Sequence, residues 1–340
     1  PMQSGFSRRR FLQSLGAAGA AGSILGSATS SPAAASDSRS VPLIASSMSG
    51  SSSGFVHPQK VLLWERTRKE VREDLQSGNL KAAIVPTGST EQHNEHLALI
   101  TDAATATLFA QQAALRLYPQ VTVSTPCPVG YSPYHMARKG SLTLRKETFL
   151  AYVFDVIESL TAHGFGTILV VNGHGGNHAL LKGAVPEWRR KLGVTLDAVS
   201  YGEGYTDEEL ATFLTSYRQK LDGKLDTLAR QTAHSHASEN ETSILMAAYP
   251  DRVRFVTLEE YDQAGLNYES DMPPKVWEYM EPFEAQRTTN PENPRDRARQ
   301  EQALLATPEK GERLIAMGTR YIVDRLQRMM QATDAGRPWP

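Results

Sequence analysis

Apolar positions change their spacing along this chain in a regular way. Four short runs, at 82–86, 121–123, 167–171 and 194–199, are mostly apolar, and each lies next to longer stretches in which apolar residues recur every three or four positions. Runs of this length suit strands buried on both faces, and the longer stretches have the period of amphipathic helices. The pattern predicts strands over the four runs and helices over 63–75, 103–117, 147–162, 179–192 and 239–248. In the first helix Trp64, Val71 and Leu75 share a face, and Ser77, Gly78 and Asn79 supply the stop. Thr307 before Pro308 reads as an N-cap and a first-turn proline, opening a last helix to about residue 330. Alternation of this kind predicts an α/β fold, a mostly parallel sheet covered by helices on both faces in a single domain. Between these elements, 201–233 reads as a polar helical insertion, and 262–299, rich in Pro, Asn and charge, as a surface excursion.

Composition narrows the picture. The 340 residues carry 36 Lys and Arg against 37 Asp and Glu, so no excess charge points to a nucleic acid or a membrane surface. The single cysteine, Cys127, excludes an internal disulfide and a thiolate zinc cluster, and reads as a buried structural thiol. Arg8, Arg9, Arg10, Phe11 and Leu12, ahead of an Ala- and Gly-rich stretch ending near Ala33, Ala34 and Ala35, have the layout of a twin-arginine export signal. That stretch is too weakly apolar for a membrane span, which needs about 20 apolar residues. The expected organisation is a signal over 1–35, a disordered linker over 36–60, one large folded domain over 61–332 and a short tail over 333–340, with the mature protein periplasmic or exported.

Candidate chemistry sits at the ends of the predicted strands, where loops of an open parallel sheet converge on ligands. The loop after the first strand carries Glu91, His93, Glu95, His96 and Asp102; the loop after the third carries Gly173, His174, Gly175, Gly176 and Asn177; His236, Ser238 and Glu241 open a later helix. Each has a plainer use. Asp102 suits the positive N-terminus of its helix, Ser238 and Glu241 have capping-box spacing, and the glycines suit a tight turn or a phosphate cradle. Together, however, buried carboxylates and imidazoles on neighbouring loops repel one another and lose hydration unless a cation lies among them. Mixed oxygen and nitrogen donors suit zinc, manganese or iron. No H-E-x-x-H motif is present.

These motifs, in this order from about Trp64 to Gly311, resemble the creatininase (creatinine amidohydrolase) family. The resemblance implies a hydrolase of C–N bonds in small amides with two divalent metal ions per subunit, assembled as a homo-oligomer, usually a hexamer. It implies that Glu91 and His174 hold one metal, His93 the other, and that Asp102 bridges them. Creatininase takes its fifth ligand from the position where this chain has Gly176, and Glu241 is the replacement implied here. His236 matches the family's proton donor, and His96 and Asn177 fall behind the ligands. Tyr131, Tyr134 and His135 match the substrate-facing segment. Asn94 and Glu95 replace a Gly-Pro pair, and Glu95 either adds a charge that selects a cationic substrate or is a solvent-exposed side chain. A single-metal peptidase or deformylase, and a binding protein without turnover, are the competing readings.

Overall fold

The computed structural model describes residues 59–136, 138–265 and 294–340. The expected export signal and nearly all of the linker lie outside these residues. At the centre is a four-stranded parallel sheet of order β2-β1-β3-β4, with β1 at Ala82–Thr87, β2 at Val121–Val123, β3 at Thr167–Asn172 and β4 at Thr195–Ser200. Successive residues of a strand point to opposite faces. Ala82 and Ile84 of β1 and Leu169 and Val171 of β3 enter one core, while Ala83, Val85, Ile168 and Val170 enter the other. The first core is closed by α2 (Thr101–Arg116), α8 (Glu239–Ala248) and α11 (Pro308–Asp334). The second is closed by α3 (Lys146–Ala162) and α4 (Gly175–Leu192). Both faces are therefore covered, as the apolar strands require.

Several boundaries differ from the sequence reading for identifiable reasons. The first helix, α1, is Arg68–Gln76, because Thr67 and Glu70 form a capping box; Leu63–Glu65 is a separate 3-10 turn and Trp64 is exposed. Helix α4 begins within the glycine loop, with His174 at its N-cap position. The 201–233 segment folds into the short helices α5 (Asp207–Ala211), α6 (Thr215–Leu221) and α7 (Thr227–Thr232), and it is less polar in its packing than expected: Leu210, Leu214 and Tyr217 join the first core. Helix α11 forms as expected, with Thr307 Oγ1 accepting from the Lys310 N–H, and runs slightly further. In the 333–340 stretch, Trp339 donates its indole N–H to Asp197 at 3.1 Å and stacks under Arg325. Cys127 is fully buried, as read from the sequence, and burial pushes its thiol up to about 11.

The 262–299 segment departs furthest from expectation. Helices α9 (Leu258–Gly265) and α10 (Pro294–Ala303) occupy its described ends, and in α10 Asp296, Ala298 and Gln300 are buried. Among the described residues no helix is long and apolar enough to cross a membrane.

The strands end in register, so Thr87, Asn172 and Ser200 stand side by side at the carboxyl edge. Thr87 Oγ1 donates to Asn172 Oδ1 at 3.2 Å. This polar row underlies the loops that carry the candidate site.

Candidate metal centre

The loop leaving β1 folds back so that Glu91 N–H meets the Leu99 carbonyl and Leu97 pairs with Val253. Glycine permits the close approach of the neighbouring loops: a Cβ on Gly88 would collide with the Ala103 backbone, and one on Gly173 with the Asp102 carbonyl. Asn177 cross-braces three segments, accepting from Tyr131 N–H at 2.9 Å while its amide reaches the Gly88 carbonyl at 3.0 Å. Asn94, His234 and Ala237 adopt left-handed backbone conformations beside the site, a strain that surrounding structure must hold.

Within this frame Asp102 faces two imidazoles. Its Oδ1 lies 3.1 Å from His93 Nε2 and its Oδ2 lies 3.0 Å from His174 Nδ1. Glu91 Oε2 is 3.2 Å from the same His174 nitrogen, and Glu241 Oε2 is 3.7 Å from His93 Nε2. All five groups are buried. The sequence-predicted ligands are thus gathered into two sets that share Asp102. Glu241 does not close a capping box: its Oε2 takes the Ala237 N–H at 2.5 Å, and Ser238 makes no side-chain cap. Nor can a ligand come from position 176, because the Tyr134 hydroxyl and the His174 ring fill the space of a Cβ there.

Hydrogen bonds to the outer ring nitrogens separate four histidines into two pairs. His93 Nδ1 meets the Glu91 carbonyl at 3.1 Å and His174 Nε2 meets the Tyr131 carbonyl at 3.0 Å. A carbonyl only accepts, so each of these rings carries a proton on its outer nitrogen. In the neutral tautomer its inner lone pair then points at carboxylates. That is the arrangement by which a protein presents histidine to a metal. The other pair is reversed. Gln92 Oε1 accepts from the Asn94 N–H at 2.9 Å, which fixes the amide so that its NH2 group faces His135 Nδ1 at 2.8 Å and His236 Nε2 at 3.2 Å. In the neutral tautomer each of these rings then carries its proton on the nitrogen facing Glu91 Oε1, at 3.4 and 3.5 Å. His135 and His236 lie close enough to Glu91, His93 and Glu241 to complete metal-sized trios, but their inner nitrogens are donors.

Proton affinities follow the same division. For His93 burial works downward, yet Asp102, Glu241 and Glu91 raise it to about 9; His174 is likewise raised, burial being outweighed by Glu91, Tyr134 and Asp102. Burial holds His135 down to about 4, against the pull of Glu91, and holds His236 well below the usual range with the help of His93 and His135. Burial pushes Glu241 up to about 7, against the pull of His93, while three histidines overcome burial to hold Glu91 low. Fit to a metal is tested by a shielded oxygen: Asp102 Oδ2, facing the inward nitrogen of His174, has no hydrogen bond of proper alignment. A buried acceptor of this kind, beside an inward lone pair, is what divalent cations satisfy.

The centre lines a cavity of about 880 Å³. Tyr134 lies on its wall, its hydroxyl 3.0 Å from His174 Nε2, and the His135 ring stacks on His236 at 4.4 Å. Tyr131 serves through its backbone, its ring lying under Lys146 rather than in the cavity wall. His96 turns away to Thr242 Oγ1 at 2.8 Å and braces α8. Glu95 is exposed and outside the cavity lining, which removes the basis for a cationic substrate. Several residues escaped the sequence reading. Gln92 sits between two predicted ligands, and that position was its only signal. Ser132 donates to Glu91 Oε2 at 2.5 Å, and Asp296, Arg299 and Arg138 form a wall brought in from far along the chain.

Residues 64–326 match the family model described as creatininase, creatinine amidohydrolase. The chain belongs to the creatininase family. The 3-dehydro-scyllo-inosose hydrolase of Thermotoga maritima is 28% identical over 57% of this chain and 58% of its own length. A mycofactocin precursor peptide peptidase of Mycobacterium ulcerans is 32% identical over 31% of this chain, which spans less than half of that relative. The creatinine amidohydrolase of Pseudomonas putida is 23% identical over 79% of this chain and 97% of its own. A creatininase crystal structure superposes with a TM-score of 0.60 over 79% of this chain and 98% of that one, at 24% identity, which supports the fold. Solved relatives include a creatininase described as the Mn form and a mutant of Zn-Zn type.

Proposed function

We propose that the chain is a hydrolase of an amide, lactam or formamide C–N bond in a small molecule, using two divalent cations and His236 as proton carrier. The observation that carries this reading is the inward orientation of His93 and His174, their outer nitrogens tied to backbone carbonyls, toward three buried carboxylates. Glu91, Asp102 and His174 would hold one cation, and His93, Asp102 and Glu241 the other, with zinc or manganese the best match and iron next. Bound there, such ions would bring the pKa of a water toward about 7 and polarise a carbonyl.

The chain's own residues handle the protons. In His236, Nδ1 is turned to Glu91, which orients the ring and supports its charged form, and Nε2 is held by Gln92. The ring would take a proton from the attacking water and give it to the leaving nitrogen. Because burial, His93 and His135 disfavour the charged ring, it releases that proton readily. Tyr134 and His135 line the substrate's side of the cavity. Export by the twin-arginine route and assembly as a homo-oligomer belong to the same proposal, supported by the Arg8 to Leu12 segment and the family membership.

A peptidase is the second reading, favoured by the similarity to a mycofactocin precursor peptide peptidase. Elemental analysis of metal-loaded protein tests the first: two equivalents per chain are expected, falling toward one in Glu241→Gln. One equivalent in the active wild-type protein would reject the two-ion mechanism. His236→Ala should keep both ions and lose about 100- to 10,000-fold in turnover on a panel of lactams, cyclic ureas, formamides and short peptides. Unchanged turnover would reject the proton-carrier role.

A further inference from the structure

We propose that Ser132 is a positioning residue for the Glu91 carboxylate, and that the 130–132 segment holds Glu91 and His174 as one ligand set, independently of His93 and Glu241. The proposal rests on the two-ion reading and concerns how one of its two sites is built. Ser132 is fully buried, and its hydroxyl donates to Glu91 Oε2 at 2.5 Å. A hydroxyl carries one proton, and a bond of this length to a carboxylate is of the strong, charge-assisted kind. The other oxygen of Glu91 faces ring nitrogens of His135 and His236 at 3.4 and 3.5 Å. The carboxylate is thus divided between two tasks. Oε1 is given to two imidazoles, while Oε2, 3.2 Å from His174 Nδ1, meets Ser132 on one side and the centre on the other.

The local fold aims the serine. Gly130 approaches so closely that a Cβ there would collide with the Gly88 carbonyl and the Asn177 amide. Tyr131 then donates its N–H to Asn177 Oδ1 at 2.9 Å and offers its carbonyl to His174 Nε2 at 3.0 Å. Ser132 is tied through both of its backbone groups: its N–H goes to Thr143 Oγ1 at 2.9 Å, and its carbonyl accepts the His135 N–H at 3.3 Å in the turn that Pro133 opens. A fixed backbone leaves the side chain only its staggered rotamers, and the one present reaches Glu91. Consecutive residues therefore hold two ligands from behind, Tyr131 through its carbonyl on His174 and Ser132 through its hydroxyl on Glu91. Supports of this kind fix the orientation of a ligand and change metal affinity by about 10- to 100-fold. His93 and Glu241 take their own supports elsewhere, from the Glu91 carbonyl and the Ala237 N–H.

Zinc titration of the metal-free full chain by calorimetry tests this, with Glu241→Gln marking the opposite site. The wild-type protein should take up two equivalents. In Ser132→Ala one equivalent should bind about 10- to 100-fold more weakly while the other holds within about threefold, and combining Ser132→Ala with Glu241→Gln should weaken both. Unchanged affinities in Ser132→Ala, equal weakening of both equivalents, or a double variant that keeps one at wild-type strength would overturn the positioning role. A crystal structure of the zinc-loaded wild-type protein requires no variant to fold: Ser132 Oγ should stay within hydrogen-bond distance of Glu91 Oε2. A serine turned away from Glu91, or bound to zinc itself, would overturn the proposal. Fewer than two zinc ions in the wild-type protein would overturn the two-ion reading and this proposal with it, whereas two ions that are indifferent to Ser132 would overturn the proposal alone.

Discussion

The floor of the cavity and its wall hold their charges by different means. On the floor, Glu91, His93, Asp102 and His174 come from two loops at the ends of adjacent strands, and each is pinned by backbone carbonyls, helix starts or Asn177. On the wall, Arg138, Asp296 and Arg299 come from a turn and a helix far apart in sequence, and they hold one another through side chains. A floor pinned by backbone keeps its geometry whatever enters. The difference lies in where each comes from: the floor from loops that directly follow the strands, the wall from a helix that only folding brings near them.

The largest effect is expected on the floor. Asp102→Asn removes the group shared by both ligand sets, so metal analysis should find fewer than one ion per chain. Hydrolysis should drop on the order of a thousandfold or more. Retention of both ions would show that the floor does not depend on its shared carboxylate.

A smaller effect concerns the brace under the floor. Burial, joined by His93, holds His96 down to about 4, against the contact with Gln300. The unfolded chain takes up that proton near pH 6.5, so the stabilisation is complete above 6.5 and is lost as the pH falls toward 4. Urea unfolding of the wild-type protein should lose up to about 3 kcal/mol over that range through this residue. His96→Gln should show a flatter profile, and an identical profile would remove His96 from the account.

The smallest effect separates floor from wall. Asn94→Ala cuts the hydrogen bond to the Asp296 carbonyl and strains a left-handed position, costing about 1 to 2 kcal/mol of stability. Metal content should hold while KM for the best substrate rises severalfold. A loss of metal would show that wall and floor are one unit.

Much of this was legible from residue spacing. The apolar runs of β1 and β3 located the strands, and the polar residues just beyond them located the metal loops, because an open parallel sheet exposes its carboxyl edge to ligands. The ends of elements were less legible: Thr67 and Glu70 moved the start of α1, and the glycine loop entered α4, since capping is decided by a few local hydrogen bonds. Glu241 was ambiguous in the sequence because the same spacing serves a capping box, and only its contact with the Ala237 N–H and its position beside His93 separate the two.

The chain alone located the sheet and the polar loops beyond β1 and β3, because periodicity acts over short stretches of backbone, and the motifs in those loops carried the resemblance to the creatininase family. Tertiary structure decided which histidines face inward as acceptors and which as donors, since that depends on a carbonyl or on the Gln92 amide meeting the far side of each ring. It also decided that Asp296 and Arg299 belong to the cavity and Glu95 does not, because only folding brings α10 against the loop that follows β1.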